Sequence, residues 1–165
     1  MIDFLKALEN NKTKIKIVNI LRRDMQEAEV LVLKSLGVRS KFELNDRLDG
    51  TSFNNTFRKK IIGVVAIEKY LKVRLIDWTS VNPKSYLPIV EIEHHKILIL
   101  NSSFGTLSKF PENHNGPIIV TVTKDDKTIW VMGVLTKHPK SKNNIISFDT
   151  LHEFDTLSDL KNILE

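Results

Sequence analysis

Three carboxylates in the middle of the chain have the types and spacing that hold a divalent cation. Asp77 lies in the stretch "VRLIDWTSV", and Glu91 and Glu93 lie in "PIVEIE". Side chains two residues apart on a strand share a face, so Glu91 and Glu93 would present two carboxylates together. Oxygen ligands of this kind suit Mg²⁺ and the chemistry of a metal-dependent phosphodiesterase. The same alternation also fits the wet face of a sheet with Val90 and Ile92 packed underneath, and we favour that second interpretation.

Two groups of basic residues and one tryptophan are candidate nucleic-acid contacts. The first group begins a predicted helix, the second lies in the loop "TKHPKSKNN", and the tryptophan lies near a predicted strand end. The set is Arg58, Lys59, Lys60, Lys137, Lys140, Lys142 and Trp78. Cationic side chains contact backbone phosphates, and aromatic rings stack on bases. Charge-rich segments also occur as plain solvated surface, so the pattern favours nucleic-acid binding without requiring it.

Other catalytic patterns are weak in this sequence. His94 and His95 are adjacent, so on a strand they would point to opposite faces and would not easily chelate one metal. The chain contains no Gly-x-Ser-x-Gly, no phosphate loop and no Gly-x-Gly-x-x-Gly. We therefore expect no cofactor, with Mg²⁺ at the three carboxylates as the alternative.

Sequence patterns predict three helices before the strands and one helix at the C-terminal end. Apolar residues recur at three- and four-residue steps over residues 2–11, 13–36 and 56–71. The second segment begins with the alternating "KTKIKI", whose first turns could instead be extended. Residues 38–55 are rich in Asn, Asp, Ser and Gly and predict a polar loop. A capping-box pattern, Thr156 followed by Asp159, starts a C-terminal helix.

The period changes to that of β-strands after the third helix. Five segments, 73–81, 88–93, 96–101, 117–123 and 128–136, predict strands joined by polar turns. Residues 97–100 are apolar on both faces, which predicts a central strand covered on both sides. We expect one mixed α/β (α+β) domain over 1–165, with a central mixed sheet of about five strands flanked by helices. Its parts are N-terminal helices (1–37), a polar loop (38–55), a helix and sheet core (56–136), and a basic loop with a C-terminal helix (137–165).

The order of these elements resembles the PD-(D/E)XK nuclease-like superfamily over roughly residues 56–136. A helix with Glu68 precedes the hairpin "LPIVEIEHHKILILNSS", and the later stretch "PIIVTVTKDDKTIWVMGVLT" is similar to the family's later strands. In that family the hairpin carries a metal-binding aspartate and then a glutamate and a lysine. The matching positions here are Ile89, Ile99 and Asn101. The resemblance therefore implies a nuclease-like core without the residues of metal-dependent cleavage.

Composition narrows the class of protein. Hydrophobic residues make up 41% of the chain and charged residues 27%, which is typical of a folded domain. No apolar run reaches the roughly 18 residues that a membrane span needs. The absence of cysteine excludes disulfides and thiolate metal sites and favours a cytoplasmic location. The net charge of +5 is compatible with nucleic acid as a partner.

We therefore expect a non-catalytic, nuclease-like module that binds nucleic acid or a protein partner in a nucleic-acid-processing, defence or mobile-element system. One alternative is a metal-dependent nuclease or phosphodiesterase that uses Asp77, Glu91 and Glu93 with Mg²⁺. Another is a structural or assembly protein that self-associates. Apolar residues off the main stripe of the long helix, among them Val30 and Leu31, indicate that it is buried on more than one side, either in an oligomer contact or as a central core helix. No membrane partner is expected.

Overall fold

The computed structural model describes residues 1–35, 37, 50–138 and 143–165, without the side chains of residues 35 and 50–54. The described helices are α1 Ile2–Asn10, α2 Gln26–Ser35, α3 Gly50–Leu71 and α4 Leu157–Leu164. The strands are β1 Lys16–Asn19, β2 Ile89–Ile92, β3 His95–Ser103, β4 Ile118–Asp125 and β5 Thr128–Leu135. Short 3₁₀ turns span Lys12–Lys14, Arg22–Met25 and Phe148–Thr150.

The five strands form one mixed sheet in the order β1-β5-β4-β3-β2. All neighbours pair antiparallel except β3 and β4, which run parallel with Leu98 opposite Ile118 and Ser103 opposite Thr123. The carboxyl ends of β3 and β4 therefore meet at one end of the sheet, beside the turn that leads from β4 to β5. The predicted mixed α+β class, with helices flanking a five-stranded sheet, is confirmed.

Each face of the sheet is covered by its own hydrophobic core. The α3-side core joins α2, α3 and α4 to one face and includes Val18, Phe57, Ile61, Ile97, Ile99, Ile119 and Leu160. The α1-side core covers the other face and includes Phe4, Leu98, Ile118, Val120, Trp130, Met132 and Phe148. Residues of β3 alternate between the two cores, so the prediction that this strand is buried on both sides is confirmed.

The predicted helix over residues 13–36 is wrong in its first half. Residues 16–19 form β1, which pairs with β5 through Lys16 opposite Val131 and Asn19 opposite Thr128. Val18 is buried, whereas Ile17 is 65% exposed, because successive side chains of a strand point to opposite faces of the sheet. Two β-branched residues in an alternating stretch fit the edge of the sheet better than a helix. The helix α2 then occupies only the second half of the segment.

The predicted strand over residues 73–81 is also wrong. Residues 73–77 form neither a helix nor a strand, residues 78–80 form a turn, and the segment pairs with no strand in the described part of the chain. The carboxylate of Glu68 accepts the backbone N–H groups of Leu75 at 2.7 Å and Ile76 at 3.3 Å. A side chain thus takes the place of a neighbouring strand in satisfying these backbone groups.

Two predicted boundaries are tested at the helices. The third helix begins at Gly50 and not at Thr56, so residues 50–55 of the predicted polar loop are helical. Residues 38–49 of that loop lie outside the described residues. The capping box of α4 is confirmed, because the Thr156 hydroxyl accepts the Asp159 N–H at 3.1 Å. Among the described helices, none is both long and apolar enough to cross a bilayer.

Candidate nucleic-acid interface

Asp77 is engaged in its own turn. Its carboxylate accepts the Thr79 N–H at 3.0 Å, the Thr79 hydroxyl at 2.6 Å and the Ser80 hydroxyl at 2.9 Å. These hydrogen bonds hold the pKa of Asp77 below its usual range. Such a carboxylate closes a local turn, and most of its acceptor capacity is already used.

Glu91 and Glu93 do not share a strand face, contrary to the prediction. The strand β2 ends at Ile92, and Glu93 lies in a two-residue hairpin turn with φ at +56°. There its carboxylate lies 3.4 Å from the ammonium of Lys161 on α4. Glu91 is exposed and stands opposite Lys96 in the register of β2 and β3. Val90 and Ile92 pack into the α3-side core, so Glu91 projects from the opposite face.

The three predicted carboxylates therefore stay in three separate places. No cluster of three or more Asp, Glu or His side chains with metal-binding geometry occurs among the described residues. His94 lies exposed in the hairpin turn, and His95 is the first residue of β3. Their ring centroids lie 4.0 Å apart with the planes tilted by 36°.

The positions aligned with the nuclease motif do not converge on one point. Ile89 packs against the α1-side core, whereas Ile99 belongs to the α3-side core on the opposite face. Asn101 lies under α3, with its amide nitrogen 3.5 Å from the Lys59 carbonyl oxygen. In a metal site of this kind the three side chains would have to meet on one face.

Asn101 organises a polar cluster at the carboxyl ends of β3 and β4. Its Oδ1 accepts the hydroxyl of Thr121 at 3.0 Å, and its Nδ2 donates to the hydroxyl of Thr123 at 2.9 Å. The cluster lies where α3 crosses the sheet at Gly63, because an added Cβ there would stand 2.9 Å from Thr121 Oγ1. The close crossing brings the second and third turns of α3 over this end of the sheet.

Two adjoining clefts open at this end of the molecule. The strand-end cleft, of about 280 Å³, is lined by residues that include Arg58, Lys59, Asn101, Ser103, Thr123 and Asp126. The hairpin cleft, of about 380 Å³, is lined by residues that include Arg22, Met25, Glu29, Arg58, Asp126 and Lys127. Arg58 and Asp126 belong to both. No aromatic ring is among the described residues that line either cleft.

Four cations, Arg22, Arg58, Lys59 and Lys127, surround these clefts, and we call them the cationic rim. Arg58 lies 3.4 Å from the Glu29 carboxylate. Arg22, Lys59 and Lys127 are exposed, and their side chains form no ion pair within the described ranges. Opposing charge comes from Glu29 and Asp126 alone among the described lining residues. The clefts thus combine excess positive charge with hydroxyl and amide groups.

The structure separates the predicted basic residues into different places. Arg58 and Lys59 belong to the cationic rim. The Lys60 ammonium instead lies 3.4 Å from the Tyr86 carbonyl, which belongs to the segment before β2. Lys137 follows β5, whose last residue pairs with the first residue of β4, so Lys137 lies at the opposite end of the sheet. Lys140 and Lys142 lie outside the described residues.

Trp78 offers little surface for base stacking. Its side chain is 7% exposed and packs against Tyr86 with ring centroids 5.8 Å apart.

Arg22 and Lys127 were not predicted from the sequence as members of the rim. The signal that relates them is the pairing of β1 with β5, which ends with the Ile20 N–H donating to the Lys127 carbonyl at 2.7 Å.

A third cleft, of about 340 Å³, is lined by residues that include Arg23, Asp24, Glu27, Glu68, Lys69, Lys72 and Arg74. Most of the charged side chains that line this cleft contact one another. Lys69 lies 2.7 Å from Asp24, and Arg74 is hydrogen-bonded to Glu27. Burial raises the pKa of Glu68, partly offset by the two backbone N–H groups it accepts. These contacts anchor the segment after α3, so we assign the cleft a structural role.

The fold and the clefts define an α+β protein with a cationic end at the carboxyl ends of two parallel strands. Comparison with protein-family models, with curated proteins and with solved structures finds no match to this chain.

Proposed function

We propose that this protein binds nucleic acid through the cationic rim. The observation that carries the proposal is the meeting of Arg22, Arg58, Lys59 and Lys127 around two adjoining clefts. Three of these cations have no ion-pair partner in the part of the chain that the structure describes. Neutralising phosphates with such side chains releases counterions, which favours binding at low salt.

The lining of the clefts supports contact with the sugar–phosphate backbone. Ser103 offers a hydroxyl, a group that commonly bonds to phosphate oxygens beside Arg and Lys, whereas the side chains of Asn101 and Thr123 are hydrogen-bonded to each other and shape the floor of the cleft. Neither cleft has an aromatic platform among its described lining residues, so base stacking has no support here. Contacts to phosphates carry no sequence information, so we propose binding with little dependence on base sequence.

The arrangement of carboxylates favours binding over the metal-dependent nuclease alternative. Asp77 closes a turn, Glu93 pairs with Lys161, and Glu91 projects from a different face. A two-metal or one-metal phosphodiesterase site needs such ligands within a few ångströms of one point.

Fluorescence anisotropy with labelled single- and double-stranded DNA and RNA, across a salt series, tests the proposal. We expect binding at low salt that weakens steeply as salt rises. Lys59→Gln should weaken binding and reduce the slope of log K against log[salt] by about 0.7 to 0.9, the value for one phosphate contact. Absence of binding to all four ligands at low salt would overturn the proposal.

Two charge-matched variants separate a local contact from general attraction. Lys60→Gln removes the neighbouring charge, but that ammonium is directed to the Tyr86 carbonyl. Lys137→Gln removes a charge at the opposite end of the sheet. Both should change affinity much less than Lys59→Gln does. Equal losses in all three variants would assign binding to net charge and contradict a site at the rim. Cleavage that requires Mg²⁺ would favour the nuclease alternative.

An exposed apolar patch favours self-association as a second candidate function. Ile2 and Leu5 of α1 are 83% and 46% exposed. Phe104, which is 38% exposed, packs edge-on against Phe4 of the same helix with ring centroids 5.0 Å apart. Exposed apolar side chains grouped around one helix can mark an interaction site. Light scattering after size exclusion should show a dimer at high concentration that Leu5→Ser weakens, and a monomer at all concentrations would remove this candidate.

A further inference from the structure

Asp126 is an unusual residue to find among phosphate-binding cations. It lines both the strand-end cleft and the hairpin cleft, together with Arg58. It is exposed, and its carboxylate has no hydrogen bond or ion pair in the described ranges. The turn between β4 and β5 is closed by its neighbour instead, because Asp125 Oδ1 accepts the Lys127 N–H at 2.9 Å. The Asp126 carboxylate is therefore not used in closing the turn.

A carboxylate repels phosphate but accepts hydrogen bonds from hydroxyl groups. Along the interior of a nucleic-acid strand, the sugar hydroxyl is the 2′-OH of ribose, which deoxyribose lacks. A carboxylate between cations that hold successive phosphates would therefore favour ribose, whose 2′-OH can donate a hydrogen bond to it. It would disfavour deoxyribose, which has no hydroxyl at that position.

We propose that the cationic rim binds RNA in preference to DNA and that Asp126 makes this distinction by accepting a hydrogen bond from a ribose 2′-OH. This inference rests on the proposed nucleic-acid binding and adds the chemical class of the ligand. A hydrogen bond to a charged acceptor supports a preference of about tenfold in affinity.

The test compares three single strands of one sequence: RNA, DNA and 2′-O-methyl RNA, in which the hydroxyl hydrogen is replaced. The full chain should bind RNA about tenfold more tightly than either of the others. Asp126→Ala should bring the RNA-to-DNA affinity ratio close to one, by weakening RNA binding and strengthening DNA binding. Asp126→Asn keeps an uncharged acceptor and should give an intermediate ratio.

The matched control is Glu112→Ala, which removes one exposed carboxylate from the loop before the amino end of β4, away from the rim. It should leave the RNA-to-DNA ratio unchanged. Equal binding of RNA and DNA by the unmodified chain would overturn the inference, as would an Asp126→Ala variant that binds both more tightly by the same factor. These two outcomes would leave the proposed function standing. Failure to bind any of the three strands at low salt would instead remove the proposed function.

Discussion

Gly63 of α3 lies directly against Thr121 of β4. An added Cβ at Gly63 would stand 2.9 Å from Thr121 Oγ1, 3.1 Å from Ile99 Cγ2 and 3.2 Å from Asn101 Cβ. The hydrogen of glycine therefore allows the helix to cross the sheet closely at this point. The same approach brings the Lys59 carbonyl to the amide of Asn101 and fixes the helix beside the strand-end cleft.

Gly63→Ala should lower the free energy of unfolding by about 1 to 3 kcal/mol, the usual cost of forcing extra atoms into a packed core. Thr121 is fully buried and hydrogen-bonded to Asn101, so the nearest atom has little room to move. Urea unfolding followed by tryptophan fluorescence measures the change. The variant should also bind nucleic acid less well if the rim depends on this crossing.

Whether Gly63→Ala lowers or raises the free energy of unfolding is itself the control for this prediction. In an open helix, Gly→Ala stabilises by about 1 kcal/mol, so a stabilised variant would show that α3 does not approach the sheet so closely. Thr121→Ala removes the nearest atom. Gly63→Ala should therefore cost less in the Thr121→Ala background than alone, and additive losses would contradict the contact.

Local sequence patterns predicted much of the fold. The hairpin of β4 and β5, the two-sided burial of β3 and the capping box at Thr156 are each indicated by a pattern within a few consecutive residues. The failures depend on partners far along the chain. Residues 16–19 form a strand because β5 is there to pair with them. The segment 73–81 has no strand partner among the described residues, because Glu68 takes that position for two of its N–H groups.

The candidate site was only half predictable for the same reason. Arg58 and Lys59 could be identified as basic residues on a helix, but the different direction of Lys60 depends on how α3 rotates on the sheet. The distance of Lys137 from them depends on strand order. Arg22 and Lys127 lie about a hundred residues apart in sequence and become neighbours only through the pairing of β1 with β5.

Removing the hydrogen-bond acceptor of Glu68 should lower the free energy of unfolding. Glu68→Ala leaves the N–H groups of Leu75 and Ile76 without their acceptor and should lower the free energy of unfolding by about 1 to 2 kcal/mol. Glu68→Gln keeps a carbonyl acceptor and should cost less. Chemical denaturation at neutral pH measures both, and equal losses would contradict a role through hydrogen bonding.

The two Glu68 variants also differ from the unmodified chain in their pH dependence. Burial raises the pKa of Glu68 in the folded state above the ordinary value of 4.5. The folded state then keeps this proton at pH values where the unfolded chain has lost it, so stability falls as pH rises from the ordinary value through the raised one. Glu68→Gln should remove that fall. An unchanged pH profile in this variant would show that another group causes it.

The chain has two tyrosines, and removing the hydroxyl should lower the free energy of unfolding at one of them and not at the other. The Tyr70 hydroxyl donates toward the Phe154 carbonyl and the Asp155 carboxylate, both at 2.9 Å. Tyr70→Phe should therefore lower the free energy of unfolding by about 1 kcal/mol. The Tyr86 ring packs against Phe57 and Trp78, and its buried hydroxyl has no hydrogen-bond partner in the described part of the chain.

Tyr86→Phe should leave stability unchanged or raise it by up to about 1 kcal/mol, because a buried hydroxyl without a partner loses its hydrogen bonds to water on folding. The two variants delete the same atom, so the comparison in parallel urea titrations cancels the effect of the substitution itself. A loss in Tyr86→Phe as large as that in Tyr70→Phe would mean that the hydroxyl has an acceptor. Glu68 is the carboxylate whose charge acts on Tyr86, and Tyr86→Phe in the Glu68→Ala background, which has no side-chain acceptor at position 68, would then show whether it is that acceptor.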